Sequence, residues 1–451
     1  MAGTWKAQNK RRPGAYINVK GNRVSLDDST IGRLLMVSNT ELGWGKSGVI
    51  PVSNLTDFRA ELGYKIDDPK LVSLKEALKG AETVLFVNIN EGTKATGTAE
   101  TSPWEFTAKY PGAKGNDIKV SIESMPVKEG DPTRATVTTL YGSSIVDQEM
   151  ISATQIAEFT GNAYIDVKPS ETVTKLPTAP VTISLTGGVT KTLAVEDLMD
   201  KALEDENYAV ATTAGMPTDS NIHALLVEGM KRLRESEGRK VRAVIPVSSD
   251  APVYNYEGVS MVVNGFIEGN GTKVSTTNAA AFFAGISASA DAGTALTYYE
   301  VSDAIEASPK LSNEQTIDAL NKGEIVFTTR PGQHVVVEQD INSLVKFTSD
   351  KPKSFSKNRV VRTLDEICTN TTQTFEGSFL GKVGNNANGR DLFKANRVSY
   401  LRNLQEQNII QNFDEDDIKV SPGIDGDAIV VNLAVTPVDA MEKLYMTITV
   451  D

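Results

Sequence analysis

The chain is poor in the residues on which most metal and redox chemistry depends. Its single cysteine, Cys368, cannot form an internal disulfide, and two histidines, His223 and His334, leave the usual zinc sites short of ligands; no metal and no cofactor is expected. Long apolar runs are missing too. None approaches the ~20 residues that span a bilayer, so no membrane insertion is expected. The amino terminus, MAGTWKAQNKRRPGAY, carries basic residues without the apolar stretch of a secretory signal. Net positive charge is also lacking: 46 Lys and Arg against 58 Asp and Glu leave −12, which disfavours nonspecific DNA binding.

What is present is ordinary for a folded protein: 40% hydrophobic and 23% charged residues, which exclude a collagen-like, coiled-coil or wholly disordered chain. Its 451 residues exceed what one core usually organises, so two or more domains are expected. The reading is a cytosol-made, metal-poor, multidomain acidic protein.

Residues 1–20 stand apart, with Lys6, Lys10, Arg11, Arg12 and Lys20 and no acid. Pro13-Gly14 precedes the alternating run Ala15, Tyr16, Ile17, Asn18, Val19, which reads as one strand. A lone strand cannot satisfy its own backbone, so it joins a sheet elsewhere or stays disordered. From Ile31 the pattern becomes strand, helix, strand. Leu34–Val37 and Thr83–Ile89 are near-continuous apolar runs, the kind a parallel sheet covers on both faces. Ser53 or Asn54 is expected to cap a helix that ends at Leu62-Gly63. Residues 99–186 change to alternating Thr, Val and Ile between Pro and Gly, the signature of an inserted all-β domain. The α/β pattern resumes at 187 and runs to 345, with the small-residue helix NAAAFFAGISASA inside it. Residues 346–451 form a third region with a polar helix over 361–371, a second over 389–404, and strands around AIVVNLAV. The chain closes on EKLYMTITV, which alternates like a strand.

Catalytic arrangements do not assemble. Gly45-Lys46-Ser47 invites a phosphate loop, but Thr40 stands where the first glycine belongs and Val49-Ile50-Pro51 follows where a helix should start. Gly285-Ile286-Ser287-Ala288-Ser289 lacks the second glycine of a nucleophile elbow. His223 falls at a helix start and His334 at a strand edge, and both read as structural. Asp414-Glu415-Asp416-Asp417 lacks EF-hand spacing and reads as a solvated turn. Cys368 reads as a packing residue on a helix.

Six segments, in order along the chain, carry a resemblance. AKYPGAKGNDIKV (Ala108–Val120), LSNEQTIDALNKGEIVFT (311–328), VEQDINSL (Val337–Leu344), FSKNRVVRTLDEI (Phe355–Ile367), FLGKVGNNANGRDLF (Phe379–Phe393) and PVDAMEKLYMTITV (Pro437–Val450) together resemble the tail sheath proteins of contractile bacteriophages, in the form found in phages and prophages of Gram-positive bacteria. The likeness runs from about Gly32 to Val450. It implies an α+β multidomain fold: a central α/β domain (21–98 and 187–345) with an inserted all-β domain (99–186), and a C-terminal α+β polymerisation domain (346–451). Strand-forming arms lie at 1–20 and 443–451. It implies a non-enzymatic virion subunit, assembled in the host bacterial cytoplasm. Its partners are copies of itself in hexameric rings and a helical polymer, the tail tube protein, and baseplate and tail terminator proteins. The linking strands are Ala15–Val19 and Tyr445, Met446, Thr447, Ile448, Thr449, Val450.

Two further expectations concern charge. The basic arm is placed near acidic surface of an adjacent subunit, with Asp414–Asp417 as the candidate. Arg390, Lys394 and Arg397, spaced by four and three, are placed on one helical stripe facing the tube. The competing readings are an α/β enzyme with a β accessory domain and a sugar- or envelope-binding surface protein.

Overall fold

The runs read as buried strands meet in one sheet of seven, whose order is Gly48–Val52, Thr83–Asn88, Arg33–Val37, Val210–Thr212, Arg242–Pro246, Val259–Val262 and Glu324–Ile325. All neighbours are parallel except the first pair, in which Gly48–Val52 runs antiparallel to Thr83–Asn88. The computed structural model describes residues 30–125, 130–332 and 334–450. The basic segment and the strand Ala15–Val19 lie outside these.

Alternate residues of each strand feed opposite faces. Leu34, Met36, Val84 and Phe86 pack beneath α2 (Val72–Leu78) and α5 (Thr276–Ser289). Leu35, Val37, Leu85 and Val87 pack beneath α3 (Val195–Asp205) and α4 (Asn221–Glu235). The result is a three-layer α/β body. Its small-residue helix is explained by crowding. A Cβ added at Gly285 would stand 2.2 Å from the Ala77 carbonyl oxygen, and one at Gly80 would stand 2.3 Å from the Ile286 nitrogen. Helices α2 and α5 therefore touch backbone to backbone, which only glycine at the crossing permits.

The β-rich insertion leaves and re-enters through one antiparallel pair, Asn90–Thr93 with Val189–Thr192. Beyond it stand a three-stranded and a four-stranded sheet around Trp104, Phe106, Ile118, Val120, Ile122 and Val137. Trp44, from the α/β body, is fully buried against this core and lies edge-on to Tyr110 at 5.5 Å. Its indole N–H donates to the Ala60 carbonyl at 2.6 Å.

Several local expectations shift. Neither Ser53 nor Asn54 caps the helix that ends at Leu62; Asp57 does, accepting from the amides of Arg59 and Ala60 ahead of α1 (Phe58–Leu62). Asp57 wins because its carboxylate reaches two orphan amides at once. Gly63 ends the helix at φ +81, as expected. After α6 (Asn313–Asn321), the polar helix extends to α7 (Asn358–Thr374), and the second becomes α8 (Ala387–Glu406). Between them lies a π-turn, Phe375–Phe379. Cys368 is exposed on α7 rather than packed.

Candidate functional site

The enzyme-like positions resolve into structure. Ser287 is buried inside α5, far from the tight exposed turn an elbow needs. His223 is 3% exposed, with Nε2 2.7 Å from the Pro217 carbonyl and Nδ1 2.6 Å from Thr213 Oγ1. A carbonyl only accepts, so Nε2 carries the proton and Nδ1 accepts from the threonine. Burial holds its pKa below the ordinary value, and the ring is a neutral strut. The loop at Gly45-Lys46-Ser47 is a turn pinned by Asn88, whose side-chain amide donates to the carbonyls of Trp44 and Lys46. Among the described residues, no group of three or more His, Cys, Asp or Glu is placed to hold a metal ion. No described helix is long and apolar enough to cross a membrane.

The C-terminal region is where unsatisfied surface collects. Among the described residues, Ile418–Pro422 and Ile429–Leu433 pair only with each other, as an antiparallel hairpin of two strands. Val430 and Val431 are exposed on it, and Ile424 at its tip is fully so. An isolated two-stranded ribbon is marginal in water and carries two open edges. Only its second strand is read from the sequence. The first, IKVSP, ends in proline, yet the turn Pro422-Gly423-Ile424-Asp425-Gly426-Asp427 between two alternating runs is the signal that finds it.

The last segment, Tyr445–Val450, forms no strand among the described residues. Leu444, Tyr445, Met446, Ile448 and Val450 are between 69% and 89% exposed. The pattern read as a strand thus has no ladder partner among the described residues of its own chain. Its root is held: Glu442 Oε1 accepts from Thr297 Oγ1 at 2.8 Å, and Oε2 accepts from Gln339 Nε2 at 2.6 Å and from the Lys357 ammonium. Partial burial works to raise this carboxyl's pKa, but the three donors outweigh it and hold the group below its usual value.

The stripe on α8 divides. Arg397 is expected outside and is found inside, 5% exposed. Its guanidinium donates to Asn370, Thr371, Thr374 and Asn396 and lies 5.0 Å from the Tyr400 ring centroid. The reason is in the spacing: Phe393, Arg397, Tyr400 and Leu404 step by four, three and four, so Arg397 shares the apolar face that docks on α7. Burial lowers its pKa. Half-buried Arg390 donates to Asn385 at 3.0 Å, whose amide braces the hairpin turn at Gly426 and Ala428. Lys394 is half-exposed and, among the described residues, makes no ion pair. The acidic turn is internally satisfied: Asp414 and Asp417 cap each other's backbone, and Glu415 pairs with Arg402 at 2.5 Å.

Three family models match in sequence: the phage tail sheath protein beta-sandwich domain over residues 90–191, the phage tail sheath protein central domain over 188–343, and the phage tail sheath C-terminal domain over 350–451. The chain belongs to the phage tail sheath family. It is 32% identical to the phage-like element PBSX protein XkdK of Bacillus subtilis, over 98% of both chains. It superposes on the sheath tail protein of Desulfitobacterium hafniense at TM-score 0.77 and 33% identity, covering 96% of this chain and 99% of that one. The contracted helical sheath of the anti-feeding prophage shares the fold at TM-score 0.56 and 12% identity, over 97% and 99% of the two chains.

Proposed function

We propose that this chain is the repeating subunit of a contractile tail sheath, stacked in hexameric rings around a tail tube, whose contraction drives the tube through the host cell envelope. One observation carries the reading: among the described residues, an apolar alternating segment without a partner and a hairpin with two open edges stand in the same C-terminal region. Each needs what the other offers. Addition of Tyr445–Val450 to the hairpin edge of a neighbour supplies backbone hydrogen bonds worth about 0.5–1.5 kcal/mol each. Such a joint hinges on backbone pairing rather than on rigid packing between bodies, so it tolerates large rotations of the subunits it connects. The arm at Ala15–Val19 is assigned the second edge of a hairpin, with its basic residues toward acidic surface at Asp414–Asp417. Lys394, flanked by Arg390, is assigned to the tube. An exposed charge contact sets register and still lets go.

Contraction on this reading uses no nucleotide. Rings assembled in a higher-energy packing relax from one end into a lower-energy one. Baseplate and terminator proteins are the partners at the two ends of the polymer, and the assembled virion tail is its location. The α/β enzyme alternative draws no support from its candidates: Ser287 and His223 are buried, His223 is committed to Thr213 and Pro217, and His334, which is exposed, pairs through Nδ1 with Glu300. The test is removal of residues 443–451 from the purified chain. A folded monomer that no longer forms tubes, seen by electron microscopy, supports the reading; tubes identical to those of the full chain overturn it.

A further inference from the structure

The terminal strand is useful as a link only if it leaves the subunit at a fixed point. Its root meets three separate parts of the body: the loop residue Thr297, Gln339 at the end of the central domain, and Lys357 at the start of α7. All three converge on one carboxylate, Glu442, whose side chain is only 12% exposed.

The Thr297 contact is itself anchored. The Thr297 hydroxyl accepts from the Asp340 amide at 3.0 Å, so its own proton points to Glu442. Asp340 is 2% exposed and accepts from the Leu296 amide, Asn358 Nδ2 and Arg362 Nη2. Asn358 and Arg362 lie on α7 and are buried. The grip on the strand's root is therefore continuous with the buried polar network that joins α7 to the α/β body. The tail's preceding backbone contact is the Val438 amide to the Ile409 carbonyl, four residues earlier. Asp439 adds a loose ion pair to Lys357 at 3.9 Å.

We propose that Glu442 is a positioning residue that clamps the root of the exported strand, fixing where it leaves, in which direction, and how much of it is free. The assignment rests on the reading that this strand joins a neighbouring copy. With Glu442 held, residues 443–450 are free and reach about 26 Å when extended; with it released, residues 439–450 are free and reach about 40 Å. Effective concentration at the neighbour's hairpin falls roughly as the −3/2 power of tether length, about twofold here. The larger effect is geometric. A strand leaving from one point in one direction admits one spacing between copies, whereas a longer, freely pivoting tether admits a range.

The test compares the full chain, Glu442→Gln, Lys357→Gln, the double variant, and the chain lacking 443–451. Axial rise is measured by electron microscopy on polymers grown under one condition. Glu442→Gln is expected to leave the monomer's melting temperature within a few degrees and still polymerise, with a spread in rise at least doubled and growth about twofold slower. Lys357→Gln should match it, and the double variant should be no worse than either. Hydrogen exchange on the monomer should show loss of protection spreading from 443–450 back to 439–442. Wild-type rise and spread in Glu442→Gln, with no polymer from the truncated chain, overturn the clamp and leave the joint standing. Normal polymer from the truncated chain overturns both. If Glu442→Gln melts far below the wild type, Thr297→Val and Gln339→Met take its place, since they keep the Lys357 pair: a widened rise supports the clamp and a wild-type rise overturns it.

Discussion

The α/β body and the C-terminal region treat strands in opposite ways. In the body, Leu34–Val37 and Val84–Val87 are buried and paired in register on both sides. In the C-terminal region, among the described residues, the hairpin has no third strand and Tyr445–Val450 has no partner at all. The first arrangement commits its apolar surface to folding; the second withholds it. On the proposed reading a sheath subunit needs both, because the part that must stay rigid during movement cannot also be the part that waits for a neighbour.

Substitutions should separate the two cleanly. The largest effect is expected from Gly285→Val, which places side-chain atoms within 2.2 Å of the Ala77 carbonyl oxygen and should abolish folding, read as loss of soluble protein and of the thermal transition. Next comes Asp365→Ala. Asp365 on α7 takes two bonds, at 2.8 and 2.9 Å, from Arg234 of α4, which is 6% exposed. Removing the carboxylate strands a buried guanidinium and should cost about 3–5 kcal/mol in denaturant unfolding.

A third effect depends on pH. Glu76 is 1% exposed, its Oε1 pairs with Lys79, and its Oε2 has no partner among the described residues. Burial pushes its pKa up to about 7, against the pull of Lys79. A carboxyl whose folded pKa is raised binds protons better folded than unfolded. It therefore contributes stability at pH below the ordinary carboxylate range, and that contribution is lost as pH rises from about 4.5 to about 7. The wild type should lose on the order of 2–3 kcal/mol relative to Glu76→Gln between about pH 4 and about pH 8. Parallel pH profiles for the two proteins would remove this assignment.

In the C-terminal region the stability effects should nearly vanish. Changing Leu444, Met446 and Ile448 together to Ser should move unfolding by less than about 0.5 kcal/mol, since surface positions away from packing rarely do more. The same triple change should prevent tube formation. A drop of several kcal/mol would mean that the strand belongs to its own subunit and would erase the contrast. Smallest is Lys394→Glu, expected to leave both fold and self-assembly intact and to weaken only assembly templated on the tail tube, with greater loss at low salt.

What can be read from the sequence follows the same division. The body is legible because its strands are unbroken apolar runs and its helices have regular spacing, so Leu34, Phe86 and Ala284 each fall where their pattern puts them. The insertion is legible by its change of period. The capping role of Asp57 is hidden because Ser53 and Asn54 have the same chemistry a few residues earlier, and only the path of the chain selects among them. Arg397 is misplaced by the pattern for a related reason: spacings of four and three put it equally on the charged and the apolar stripe. Its partners Asn370 and Thr374 are more than twenty residues away. The terminal strand is visible as an alternation, whereas Glu442 is not visible at all. A single glutamate at the head of that run carries no pattern, and its role exists only where three distant segments converge.

The hairpin and the terminal strand are different surfaces, so a joint made between them is head-to-tail and never self-complementary. Growth by such joints has a direction. Where such joints link one ring to the next, as proposed, one end of the polymer displays unfilled hairpin edges and the other unfilled strands, however long it becomes. A cap that fits one end therefore cannot fit the other, and each end can be stopped, started or counted by a separate protein without any mark on the subunits between.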